Sequence, residues 1–84
     1  MKHPTKIEGF NGSIEEAAKA IAQMRYDSIF KFLKAFANEF KKQSKGDKKG
    51  GRLQLAKLLS VLALALDFSA ETMNKIWKLC KKYM

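Results

Sequence analysis

The chain has 84 residues, 46% of them hydrophobic, with 17 Lys and Arg against eight Asp and Glu for a formal charge of +9. That length holds one domain with one core and excludes a deep, enclosed active site, and the apolar share excludes a disordered chain. The positive balance points to anionic partners, although only Arg25 and Arg52 carry the planar fork that reads guanine; the other cations are Lys, a hydrated point charge suited to diffuse contact.

In chain order, residues 1–12 carry Pro4, Gly9 and Gly12, show no period, and read as a flexible arm with Ile7 and Phe10 able to tuck onto the body. They also lack the apolar core of a signal peptide. Residues 13–84 are expected to form a single helical domain. Ser13 and Glu16 have the spacing of a capping box, which starts the first helix. From there Ala18, Ala22, Tyr26, Ile29, Leu33, Phe36 and Phe40 keep one helical phase. That phase predicts one long helix over residues 14–43, with a four-helix alternative if it breaks near Asp27, where Asp27 or Ser28 could cap a new start.

Residues 43–51 (QSKGDKKGG) read as a basic linker. A second helix is predicted from about residue 53 to Leu66, striped by Leu55, Leu59, Leu62 and Leu66 and apolar nearly all round, which marks a central helix. A turn at Asp67-Phe68-Ser69 follows, then a third helix capped by Ser69. Met73, Ile76, Trp77, Cys80 and Met84 line one side of that helix and Lys75, Lys78 and Lys82 the other. The expected fold is therefore all-α, a small three-helix bundle with the long N-terminal helix packed on a C-terminal helical hairpin. Its expected core is Ile29, Leu33, Phe36, Phe40, Leu55, Leu59, Leu62, Leu66, Met73, Ile76, Trp77 and Cys80. The longest apolar run, residues 58–66, falls short of the about 20 residues a membrane span needs, so none is expected.

Catalysis is not expected. The single His3 sits in the arm and the single Cys80 on an apolar stripe, so no nucleophile has a base and an orienting group beside it. No metal-ligand spacing occurs, and neither a cofactor nor a small-molecule substrate is expected. A lone cysteine allows no internal disulfide and fits a reducing compartment, so the cytoplasm is the expected location.

Residues 63–73 (ALALDFSAETM) resemble the helix-turn-helix signature of bacterial DNA-binding proteins. The small residue Ala63, apolar Leu66 and Phe68, Ser69, and apolar Met73 and Ile76 carry the likeness. The resemblance implies that Ala70, Glu71, Asn74, Lys75 and Lys78 face the groove. Asp67 departs from it, standing where that family usually has glycine. A tight structural corner with a Ser cap produces much the same letters.

The broader signal is lysine segregated from the apolar stripes. A sequence-independent phosphate footprint of Lys41, Lys42, Lys45, Lys48, Lys49, Arg52, Asn74, Lys75, Lys78 and Lys82 is the expected site, with DNA or RNA as partner. The apolar surplus, with Leu53, Val61, Leu64, Phe30 and Phe32 hard to cover in so small a bundle, supports the alternative of a homodimer or other protein–protein module with no nucleic-acid role. Membrane-surface attachment is disfavoured, because lipid would compete with the core for the aromatic faces.

Overall fold

The computed structural model describes residues 3–83, and Met84 lies outside the described residues. It is all-α: α1 (Ile14–Ala22), α2 (Tyr26–Lys49), α3 (Leu53–Cys80) and a short 3-10 turn (Lys81–Tyr83). Class and helix number are as expected, but the breaks fall elsewhere. The hairpin is made by α2 and α3, which pack along their lengths, while the short α1 hangs beside them. The Cα trace measures 49 × 30 × 14 Å. Three helices packed in a triangle would be nearly as thick as wide, so this is a flattened slab with α1 splayed.

The N-terminal start is as read. Ser13 Oγ accepts from the Glu16 N–H and Glu16 Oε1 accepts from the Ser13 N–H, both at 3.0 Å. The backbone N–H of Ser13 holds the Glu16 carboxyl below its ordinary pKa.

The long helix expected over residues 14–43 breaks at Gln23–Arg25, just ahead of the alternative position. Arg25 adopts an extended backbone (ψ 143°) and becomes the N-cap of α2. Its guanidinium binds both oxygens of Asp27 at 2.7 and 2.9 Å and sits 5.4 Å from the Trp77 ring centroid. Asp27 therefore lies in the first turn of α2, where the helix dipole favours an anion, instead of capping it. The apolar phase survives the break, which is why periodicity alone hides it.

The linker expected over residues 43–51 is helical through Lys49. Ser44 and Asp47 are buried, and both have partners across the turn. The true connection is Gly50-Gly51-Arg52. Gly51 takes φ +82°, its N–H donates to Lys48 O, and the Arg52 N–H donates to Asp47 O at 2.8 Å. That pair of bonds is a Schellman stop, which needs glycine at the left-handed position. Arg52 Nε donates again to Asp47 Oδ1 at 2.6 Å and ties the turn shut.

The expected turn at Asp67-Phe68-Ser69 does not occur, since α3 runs straight through it. Ser69 Oγ donates back to Ala65 O at 3.0 Å and Thr72 Oγ1 to Phe68 O at 3.1 Å, so these hydroxyls sit in mid-helix and cap nothing. No Gly or Pro stands between Leu53 and Cys80 to stop the helix.

The core also differs from the expected set. Among the described residues the buried apolar ones are Ala17, Ile29, Ala37, Ala56, Ala63 and Ala70. Only Ile29 of the expected core is buried. Leu33, Phe40, Leu59, Leu66, Met73, Trp77 and Cys80 are half-buried, and Phe36, Leu55, Leu62 and Ile76 are exposed. Ala56, Ala63 and Ala70 recur every seventh residue and face Ala37 and Ser44, also seven apart. Two antiparallel helices with small residues on the seam approach closely, and their large side chains turn outward.

Candidate interaction faces

Three surfaces surround the alanine seam. On one side of the hairpin Asp67 of α3 bridges back to α2, accepting from Lys41 Nζ at 2.8 Å and from Lys34 Nζ at 3.2 Å. Lys41, then Lys34, hold the Asp67 carboxyl below its ordinary pKa. On the opposite side the same helical rotation gathers Phe36 and Phe40 of α2 with Leu55, Leu59, Leu62 and Leu66 of α3. Phe32, Phe36 and Phe40 form a row of tilted rings, with centroids 5.5 and 4.9 Å apart. The arm and α1 reach only one end of this apolar side. Ile7, Ile14, Ile21, Ile29, Phe36 and Met73 line a cleft of about 480 Å³ that α1 leaves open.

The third surface is the side of α3 turned away from the seam. Val61, Leu64 and Phe68 lie there at 56, 67 and 76% exposure. By length and composition, residues Leu53–Tyr83 also meet the requirement for a membrane crossing, with an 18-residue stretch whose mean hydropathy is 1.6. The reading from apolar runs expected no such segment, because the run 58–66, with Ser60 inside it, ends at Asp67. In the folded hairpin both polar groups have partners: Ser60 Oγ lies 2.9 Å from Ser44 Oγ, and Asp67 holds its two lysines.

The expected phosphate-binding residues divide into two groups at opposite ends of the hairpin. Lys45, Lys48 and Lys49 lie exposed on the last turns of α2, with Arg52 on the connection. Lys75 and Lys78 lie near the other end of α3 and Lys82 in the 3-10 turn, 5.6 Å from the Tyr83 ring centroid. At 1.5 Å per residue the two groups stand roughly 30–40 Å apart. Lys41 is engaged by Asp67, Lys42 by Glu39 at 3.1 Å, and Arg52 by Asp47. Asn74 is half-buried and Ala70 fully buried against α2, so neither can enter a groove as the helix-turn-helix likeness implied.

Lys57 was missed as a contributor. It lines a shallow groove with Ser44, Lys48 and Ser60, beside the turn and close to the end of α2. Recognising it required the hairpin, since Lys48 and Lys57 come together only across the glycine turn. Among the described residues no three His, Cys, Asp or Glu side chains gather as a metal site. Cys80 is a free, half-buried thiol.

Compared with protein-family models, curated proteins and solved structures, the chain matches none.

Proposed function

We propose that this chain is a small basic non-catalytic helical binding module that holds nucleic acid through lysine–phosphate contacts. The observation that carries the reading is the lysine group at the turn. Lys48 and Lys57 line one groove across the turn, Lys45 and Lys49 lie exposed on the same last turns of α2, and among the described residues none of the four has a carboxylate within ion-pair distance. Lysine on exposed helix turns supplies charge without base-specific geometry, so the expected binding is sequence-independent and strongly salt-sensitive.

Titration of the whole chain against duplex DNA and RNA at rising salt tests this. Binding should weaken steeply as salt rises. Replacing Lys45, Lys48 and Lys49 together with Gln should weaken it and lower the salt slope by about three. Absence of binding at about 50 mM salt would remove the reading.

The exposed apolar side chains of α3 favour a second reading, a homo-oligomerising protein–protein interaction module with no nucleic-acid role. Self-association without any salt-dependent binding to nucleic acid would select it.

A further inference from the structure

A compact chain of this mass exposes about 5,000 Å². This one exposes 6940 Å², an excess of roughly 1,900 Å². A stable interface needs about 800 Å² from each partner, less than this excess. On the outward side of α3, Val61, Leu64 and Phe68 are all exposed large apolar side chains, and Phe68 is more exposed than any other large apolar residue of the three described helices.

Those three residues belong to a longer pattern. Lys57, Val61, Leu64, Phe68 and Glu71 follow one another at steps of four, three, four and three, the spacing of a helix–helix seam. The apolar trio sits in the middle, a cation seven residues before Leu64 and an anion seven residues after it. Within one chain Lys57 and Glu71 are roughly 21 Å apart along the helix and cannot pair. Two α3 helices side by side and parallel would set Lys57 against Lys57 and Glu71 against Glu71. Antiparallel, with Leu64 against Leu64, each Lys57 meets the Glu71 of the other copy and the apolar trio is covered.

We propose that a second copy of this chain packs antiparallel along the outward side of α3, with the twofold axis near Leu64 and Lys57–Glu71 ion pairs closing both ends. The contact is isologous: one patch serves on both copies, as closed twofold symmetry requires. It makes α3 the central helix of the assembly, with α2 on one side and the second copy on the other. Lys45, Lys48 and Lys49 of α2 stay outward while Lys57 leaves the turn group for the interface, so the dimer does not rest on the nucleic-acid reading and is tested without nucleic acid.

Light scattering and sedimentation of the full chain should report twice the mass of one chain. Phe68→Glu should convert it to a monomer. Phe68 is exposed in the single chain, so far-UV circular dichroism should show unchanged helicity. Lys57→Glu and Glu71→Lys should each weaken association by about tenfold or more, by setting like charges together. The double variant Lys57→Glu/Glu71→Lys should restore it, because the pair is re-formed only between copies. A wild-type chain that stays monomeric at about 500 µM overturns the proposal. So does a monomer that partitions onto phosphatidylserine vesicles through this side, a Phe68→Glu chain that still dimerises, or a double variant no tighter than the single ones.

Discussion

Ser44 on α2 donates a 2.7 Å hydrogen bond to the Ala56 carbonyl on α3, and this contact sets the register of the hairpin. Seven residues back along α2 and seven forward along α3, Ala37 comes opposite Ala63, and one step further Phe30 comes opposite Ala70. A buried hydroxyl so placed fixes which residues meet, because a slip along the seam would leave it without a partner.

Ser44→Ala should therefore cost about 1 kcal/mol, the net worth of a satisfied buried hydrogen bond. Ala63→Leu should cost more, about 1–3 kcal/mol, because its extra carbons must force apart two backbones in contact. Urea unfolding followed by circular dichroism measures both. A neutral Ala63→Leu would show that the helices are not closely packed there.

Two glycines should respond with opposite signs. Gly51 holds φ +82°, so Gly51→Ala should lose about 1–2 kcal/mol. Gly46 is inside α2 with nothing within 4 Å of an added Cβ, so Gly46→Ala should gain about 1 kcal/mol. Thermal melts of the two variants should move in opposite directions. A gain at both would mean that the turn does not need its left-handed residue.

Asp67 makes stability depend on pH. Lys41 and Lys34 lower its pKa in the folded chain, so the unfolded chain binds the proton more readily. The bridge therefore contributes fully above the ordinary carboxylate value and is lost as pH falls through the lowered, folded one. Wild type should be more stable than Asp67→Asn at neutral pH, and the gap should close in acid. Denaturant midpoints across that range provide the check; a gap that stays constant would mean the lysines do not stabilise the carboxylate.

The all-α class and the capping box at Ser13 were legible because both rest on local rules: amphipathic period and cap chemistry. The breaks were harder. Gly50-Gly51 was visible as a flexible stretch, yet the helix before it runs on to Lys49, held by buried Ser44 and Asp47, which read as polar linker letters. Asp67-Phe68-Ser69 looked like a turn because Asp and Ser favour caps, but here Asp67 is spent on two lysines of α2 and Ser69 on the preceding turn of its own helix. The core was misplaced for a related reason. Leucine and phenylalanine rank above alanine in any hydrophobic count, whereas close helix approach selects the smallest side chains for the inside. The candidate lysines could be named individually, but their division between two ends depended on where the chain reverses.

The rungs between α2 and α3 span very different lengths of chain. Ser44 and Ala56 are 12 residues apart, Lys34 and Asp67 are 33. Loop-closure entropy rises with that separation, so contacts beside Gly51 form at the least cost and each one brings the next pair within reach. Folding would then proceed as a zipper from the glycine turn outward, with the meeting of Arg25 and Trp77 among its last events.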